Sequence, residues 1–198
     1  MRKKAIIVWL VFLCAGIIAL FWHNEWKYNL PTPVPADYKA VNTGTPVQLA
    51  GILSPGDHKP LFLHFFNPDC PCSRFNMPHV KSLVQQYGKD VNFAIVVMNN
   101  DTYTAKEIQD KFGLSVPVFF DSTIALECGV YSTPQAVIID TDHKLFYRGN
   151  YNRNRYCTDK KSEYARMALE GLINNNSNLV FDQFALKAYG CRLPNCRK

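Results

Sequence analysis

The chain has 198 residues, of which 47% are hydrophobic, and its formal net charge is +6 at neutral pH. This composition excludes an intrinsically disordered chain, because disorder goes with low hydrophobicity. Three positive charges lie at residues 2–4, and the remaining 19 basic and 16 acidic residues leave a balance of only +3. That balance excludes the strongly basic surface of a nucleic-acid-binding protein, so no nucleic-acid partner is expected.

The first feature along the chain is an apolar segment behind a basic N-terminus. Residues 5–22 contain no charged side chain, and as an α-helix they would extend about 27 Å, close to the hydrocarbon thickness of a bilayer. The basic residues 2–4 predict that the N-terminus stays in the cytoplasm. Residues 21–26 are bulky and unsuited to cleavage, which favours an uncleaved signal-anchor. A cleaved signal peptide and a buried core helix are the alternatives.

This topology predicts a single-pass protein of the inner (cytoplasmic) membrane, whose C-terminal domain is periplasmic or extracellular. Six of the seven cysteines follow the apolar segment, and such a location is one where disulfides persist. These cysteines are Cys70, Cys72, Cys128, Cys157, Cys191 and Cys196. Spacing alone does not give their connectivity.

Alternating strand and helix patterns follow the membrane segment. The proline-containing residues 30–35 favour an extended conformation. The predicted strands are residues 61–66, 92–98, 116–120, 135–140 and 144–148, and the predicted helices are residues 71–87, 104–112, 122–128 and 162–173. The alternation predicts an α/β protein with helices on both faces of its sheet. The chain is thus divided into a cytoplasmic stub (1–4), a transmembrane segment (5–22), a spacer (23–45), a globular domain (46–176) and a cysteine-containing tail (177–198).

A Cys-Pro-Cys sequence follows the first predicted strand of the domain and opens its first helix. Cys70 comes at the helix N-terminus, where unpaired N–H groups and the helix dipole stabilise a thiolate. Pro71 suits the first helical turn, where its missing N–H is not needed. We predict that Cys70 is an exposed nucleophile and that Cys72 is a candidate to resolve a mixed disulfide.

Four features of this region resemble the thioredoxin-like superfamily, nearest to its membrane-anchored TlpA-like and redoxin-like (AhpC/TSA-type) branch. They are Phe65-Phe66 before Cys70, Pro78 eight residues after it, the segment from Gly129 to Thr133-Pro134 before residues 135–140, and Tyr147-Arg148-Gly149 before the last helix. The resemblance covers roughly residues 46–175. It implies a three-layer α/β/α sandwich with a mixed sheet, and thiol-disulfide oxidoreductase activity on protein thiols or disulfides. It also implies a cis-Pro134 that faces the catalytic Cys70 and shapes the substrate groove.

The cysteine spacing departs from the Cys-x-x-Cys motif of the superfamily, because Ser73 stands where the second cysteine would be. Relatives with an Asp-Cys-Pro motif often end in a Gly-Cys segment, which Gly190-Cys191 resembles. The predicted hairpin also returns the loop before Cys157 to the rim of the sheet that carries Cys70. Cys157 and Cys191 are therefore candidate resolving or disulfide partners of Cys70, beside Cys72; a Cys191–Cys196 bond is an alternative.

Two further functions stay open. Cys70 and Cys72 are adjacent soft thiolates that suit copper(I), as in a copper chaperone, and otherwise no cofactor is expected. Peroxide reduction by Cys70 is the third option, although Asn67 replaces the threonine of the peroxiredoxin motif. An oxidoreductase would need an electron-donor partner, which the sequence does not name.

The other conspicuous side chains are predicted to be structural. His64, within a strand, and Cys128, at a helix end, are predicted to pack in the core. His79 is predicted on the helix surface, and Asp69 is predicted to cap the helix that follows it.

Overall fold

The computed structural model describes residues 2–49, 51–52, 58–98, 102–176 and 178–193. The chain divides into two units, Met1–Pro31 and Thr32–Lys198. The first unit contains helix α1 (Arg2–Asn29), whose apolar side chains are exposed and which is long and apolar enough to cross a membrane. The helix continues through residues 23–29, where we predicted a spacer, because these residues include no proline or glycine. It ends just before Pro31, as expected, since a proline disfavours the helical conformation of the preceding residue.

The second unit contains a mixed sheet surrounded by helices. The strands are β1 (Leu61–Phe66), β2 (Asn92–Val97), β3 (Val118–Phe119), β4 (Ser132–Thr133), β5 (Gln135–Ile139), β6 (Leu145–Gly149) and β7 (Cys191–Arg192). The helices are α2 (Pro71–Tyr87), α3 (Ala105–Phe112), α4 (Thr123–Glu127), α5 (Tyr164–Ile173) and α6 (Gln183–Leu186). Five strands form one sheet in the order β3-β2-β1-β5-β6, and β4 pairs with β7 in a separate two-stranded ribbon.

The five-stranded sheet is parallel on one side of β1 and antiparallel on the other. Strand β1 runs parallel to β2 and antiparallel to β5, β2 runs parallel to β3, and β5 forms an antiparallel hairpin with β6. This arrangement confirms the predicted α/β fold with a mixed sheet. The third strand is shorter than predicted, with two paired residues instead of five.

Both faces of the sheet are covered, which explains why every residue of β1 is buried. Helices α2, α3 and α5 cover one face, where the core includes Phe62, Phe66, Leu83, Ile108 and Leu169. Helix α4 and residues 47–49 cover the other face, where the core includes Leu63, Phe65, Ile124 and Val137. The central strand β1, which leads to Cys70, is therefore packed between two layers of the core.

Local capping signals set the ends of α3 as the sequence predicted. The Thr104 hydroxyl accepts the backbone N–H of Glu107, and the Glu107 carboxylate accepts the backbone N–H of Thr104. Gly113 closes the helix in the left-handed conformation, with φ of 57°.

The predicted spacer is packed on the second unit from Thr32 onward. The Tyr38 hydroxyl donates to the carbonyl of Gly129 at 3.0 Å, and Leu145 in β6 exchanges backbone hydrogen bonds with Gly44 and Thr45. Gly44 and Thr45 thus provide hydrogen-bond partners for backbone groups at the outer edge of β6, which would otherwise be unpaired. The described part of the predicted tail, residues 178–193, contains α6 and β7.

Candidate active site

Cys70 lies where the central strand turns into α2. After β1, the side chain of Asn67 accepts the backbone N–H of Asp69 at 2.9 Å, and the backbone N–H of Cys70 bonds to the Asn67 carbonyl at 3.1 Å. Cys70 itself occupies the N-cap position, in an extended conformation, and Pro71 is the first helical residue. The predicted capping role of Asp69 is therefore wrong, and its carboxylate accepts the Tyr103 hydroxyl at 3.2 Å. The residue at the N-terminus of α2 is therefore a cysteine, whose side chain makes no capping hydrogen bond.

Cys70 is joined by a disulfide to Cys191, which is 121 residues further along the chain. The two Cα atoms are 6.5 Å apart, within the usual range for a disulfide. Cys191 belongs to β7 and pairs with Thr133 in β4, and the Thr133–Pro134 peptide bond is cis. The Cys70 sulfur is 3.9 Å from the Thr133 carbonyl oxygen. The helix N-terminus, the cis-proline segment and the tail thus meet at one point.

The disulfide-bonded site is closed to solvent. Cys70 is fully buried and Cys191 nearly so, which makes the expectation of an exposed Cys70 wrong for this form. The reason is that the tail strand lies over the sulfur that it binds. Access to either sulfur therefore requires that the tail strand moves away.

Cys72 is buried in α2 and is not part of a disulfide. Its backbone carbonyl accepts the side-chain amide of Asn76 at 2.8 Å. The same Asn76 accepts the thiol of Cys157 through its oxygen at 2.6 Å. Ser73, in the position of the second family cysteine, is also buried, and its hydroxyl accepts the backbone N–H of Asn67 at 3.3 Å.

The thiols of Cys128 and Cys157 are held in their protonated form. Burial, with a smaller contribution from the Glu163 carboxylate, raises the pKa of Cys157 to about 12. Burial likewise raises the pKa of Cys128 to about 12. Because the thiolate is the reactive form, both are poor nucleophiles at neutral pH. The structure places the Cys157 thiol against Asn76 of α2, in an unreactive environment, whereas Cys191 is the cysteine bonded to Cys70.

His64 of β1 and His79 of α2 both contact Tyr151. His64 Nδ1 and the Tyr151 hydroxyl share a hydrogen bond of 2.7 Å, and burial lowers the pKa of His64 to about 3. His79 is buried rather than on the helix surface, because the rings of His79 and Tyr151 meet edge to face and Glu163 lies 3.9 Å from its Nδ1. Burial lowers the pKa of His79, although Glu163 opposes this effect. Both imidazole rings are therefore neutral at pH 7, and both pack against Tyr151.

In the described ranges, no group of three or more His, Cys, Asp and Glu side chains could hold a metal ion. Cys70 is engaged with Cys191, so copper(I) binding by Cys70 and Cys72 would first require reduction of that bond. Cys196, the alternative partner of Cys191, lies outside the described residues.

Two hydroxyl residues near the disulfide were not predicted from the sequence. Ser132 precedes the cis-proline segment, and its place two residues before Pro134 is a signal that could have drawn attention to it. Thr32 lies in the predicted spacer, where no local pattern distinguishes it from neighbouring residues. Both are buried and hydrogen-bonded to each other at 3.0 Å.

The strand order, the cysteine at the start of the helix after β1 and the cis-proline beside it define a thioredoxin-like protein. A family model described as a domain of unknown function (DUF6436) matches residues 40–195, so the chain belongs to this family. A curated relative, the thiol-disulfide oxidoreductase ResA of Halalkalibacterium halodurans, is 28% identical over 85 residues, which are 41% of this chain and 48% of ResA. The chain thus spans about half the length of this relative.

Solved structures are similar in fold. A hypothetical protein from Sinorhizobium meliloti covers 70% of this chain and 80% of its own, with 17% identity and a TM-score of 0.55. An uncharacterized conserved protein from Geobacillus kaustophilus covers 60% of this chain and 69% of its own, with 23% identity and a TM-score of 0.50. With the ResA similarity, the architecture confirms the predicted thioredoxin-like fold and its redoxin-like branch.

Proposed function

We propose that this chain is a membrane-anchored thiol-disulfide oxidoreductase in which Cys70 is the nucleophile and Cys191 is the resolving cysteine. The observation that carries the proposal is the disulfide that joins the N-terminal cysteine of α2 to the tail strand beside Pro134. A helix N-terminus lowers the pKa of a cysteine, and a cysteine partner held next to it can complete an exchange reaction. The ResA similarity supports the same class of chemistry.

The proposed reaction proceeds in two exchange steps. With both cysteines reduced, the Cys70 thiolate attacks one sulfur of a protein disulfide, forming a mixed disulfide and releasing the other substrate sulfur, which takes up a proton. The Cys191 thiolate then attacks the Cys70 sulfur, so that the Cys70–Cys191 bond forms and the second substrate thiol leaves. Two electrons have passed to the substrate, and an external dithiol must restore the reduced pair. The same steps in reverse oxidise a substrate dithiol.

Cys191 is the better resolving candidate on chemical grounds. The thiol of Cys157 has a pKa of about 12 and is hydrogen-bonded to Asn76, so little thiolate forms at neutral pH. Cys72 is buried in α2, two residues from Cys70, and a bond between them would close a small, strained ring. Cys191, by contrast, is already bonded to Cys70 in the structure.

The membrane placement belongs to the proposal as well. Helix α1 could span a bilayer, and the basic residues 2–4 favour a cytoplasmic N-terminus. The domain would then act outside the cytoplasm, with protein thiols or disulfides as substrates. The reductant would be an external dithiol protein, since the cysteines of this chain account for only one turnover.

The test is disulfide reduction by the full-length protein in detergent, with a model protein disulfide such as insulin and a dithiol as reductant. Cys70→Ser should abolish catalysis. Cys191→Ser should accumulate a mixed disulfide between Cys70 and the substrate, detectable by mass spectrometry. Cys157→Ser should stay within about twofold of the wild type because its thiol is protonated. Wild-type activity in Cys70→Ser would overturn the proposal.

A further inference from the structure

Thr32 is a buried hydroxyl residue in the stretch that links α1 to the second unit. It comes three residues after the last residue of α1, and only 4% of it is exposed. A polar side chain that is buried this completely needs hydrogen-bond partners, since an unpaired hydroxyl in the interior is costly. Its partners identify what this residue holds.

Among the described residues, the hydrogen bonds of Thr32 lead to the tail and to β4. Its hydroxyl donates to the carbonyl of Gly190 at 2.9 Å and accepts the backbone N–H of Gly190 at 2.9 Å. Its backbone N–H donates to the carbonyl of Ala188 at 2.7 Å. The hydroxyl also lies 3.0 Å from that of Ser132. Because the single hydroxyl hydrogen of Thr32 is directed to Gly190, Ser132 must be the donor in the last contact.

These contacts hold the residue immediately before Cys191. Within the described residues, the ribbon that carries Cys191 has two paired positions, Ser132 with Arg192 and Thr133 with Cys191, and one further backbone hydrogen bond from Leu193 to Tyr131. A two-stranded ribbon of this length is not stable by itself in water. The Thr32 hydroxyl bonds to both the backbone N–H and the backbone carbonyl of Gly190, so it fixes the tail where the ribbon alone would leave it loosely held.

We infer that Thr32 is a positioning residue that holds Cys191 against Cys70 and thereby sets the stability of their disulfide; this inference rests on the proposed function. The equilibrium of an intramolecular disulfide depends on how closely the folded protein holds its two thiols, because a fixed thiol competes better with external thiols. A clamp on Gly190 raises the local concentration of the Cys191 thiol at the Cys70 sulfur. Thr32, in the segment after α1, thus takes part in the redox site by holding Cys191 in place.

The test is a redox titration of the full-length protein in detergent against buffers of reduced and oxidised dithiothreitol. After alkylation, mass spectrometry measures the fraction of Cys70 and Cys191 in the disulfide. In Thr32→Val, the equilibrium constant for disulfide formation should fall about tenfold, which is about 30 mV toward easier reduction. Thr32→Ser keeps the hydroxyl and should stay within about twofold. Thr45→Val, a change at an exposed threonine of the same stretch, should leave the potential unchanged.

Ser132→Ala provides a second variant if Thr32→Val does not fold, as judged by circular dichroism. It removes one partner of the Thr32 hydroxyl and should shift the potential in the same direction, by about threefold. A merely structural role would destabilise the oxidised and reduced forms equally, so an unchanged potential in folded Thr32→Val or Ser132→Ala overturns the inference. A wild-type protein without a Cys70–Cys191 couple would overturn the proposed function, and this inference with it. If the wild-type protein forms the Cys70–Cys191 disulfide and the variants have the same reduction potential, only the positioning role of Thr32 is overturned.

Discussion

At the scale of single residues, the surroundings of a cysteine determine how readily its thiol loses a proton and reacts. Cys70 lies at the N-cap of α2, where backbone N–H groups stabilise negative charge on sulfur. Burial raises the pKa of Cys128 and Cys157 to about 12, which keeps both protonated. The proposed nucleophile thus lies at a helix N-terminus, whereas the other two thiols are buried and protonated. Hydrogen bonding to Asn76 adds to this protection for Cys157.

His64 makes the stability of the fold depend on pH. Because burial lowers the pKa of His64 from 6.5 to about 3, the unfolded chain binds more protons than the folded protein between these values. The contribution of His64 is therefore present above pH 6.5 and is lost as the pH falls. From pH 7 to pH 5, the free energy of unfolding should decrease by about 2 kcal/mol through this residue.

Urea unfolding of the detergent-solubilised protein at the two pH values, followed by circular dichroism, measures this loss. His64→Gln keeps a hydrogen-bonding side chain for Tyr151 but does not titrate. From pH 7 to pH 5, the free energy of unfolding of this variant should therefore decrease by about 2 kcal/mol less than that of the wild type. The lowered pKa of His79 acts in the same direction in both proteins and cancels in the comparison. Identical pH dependence in the two proteins would refute this role of His64.

At the scale of elements, the tail strand β7 is fitted closely to β4. A Cβ atom at Gly190 would meet the carbonyl oxygen of Thr133 and would lie 2.7 Å from the Ser132 hydroxyl oxygen. A backbone oxygen cannot move aside as a flexible side chain does. The glycine before Cys191 is therefore required by the space between tail and β4.

Gly190→Ala should consequently move Cys191 away from Cys70. Overpacking of this kind costs about 1–3 kcal/mol, so we expect resolution of a mixed disulfide at Cys70 to slow by about tenfold or more. A single-turnover measurement of the thiol released from a Cys70-linked chromogenic group follows this step directly. Lys187→Ala, at an exposed position of the same tail, is the matched control and should resolve at the wild-type rate. Equal rates in all three proteins would show that the tail tolerates the added methyl group.

At the scale of the whole molecule, the N-terminal and C-terminal segments of the second unit both contribute to the surroundings of the Cys70–Cys191 disulfide. Cys191 comes from the tail, Thr32 from the segment after α1, and Cys70 from the middle of the chain. A shortened protein that starts after Thr32 or ends before Cys191 would keep the five-stranded sheet but lose parts of the site.

The proposed anchoring predicts the behaviour of the complete chain in cells. In a bacterial host, the protein should remain in the membrane fraction after alkaline carbonate extraction, since α1 is apolar on all sides. A C-terminal epitope tag should be digested by protease added to spheroplasts. Replacing Arg2, Lys3 and Lys4 by glutamate should reduce the fraction with this orientation. Release of the wild-type protein by carbonate, or protection of its tag, would contradict the proposed placement.

Much of the fold was predictable because its signals are local. The buried run of β1, the capping residues Thr104 and Gly113, and the Cys-Pro turn into α2 each depend on neighbours within a few positions. The prediction for His79 was wrong because its burial depends on Tyr151, a residue distant in sequence.

The sequence by itself determined the position of Cys70, since a strand that leads through a cysteine into a proline-started helix is a local pattern. Only the tertiary structure decided which cysteine it contacts, from candidates that included Cys72, Cys157 and Cys191. That choice depends on the pairing of Cys191 with Thr133 in a distant strand and on the hydrogen bonds between Gly190 and Thr32, which comes from the opposite end of the domain. Such contacts arise when the sheet brings distant segments together, and no spacing of residues along the chain encodes them directly.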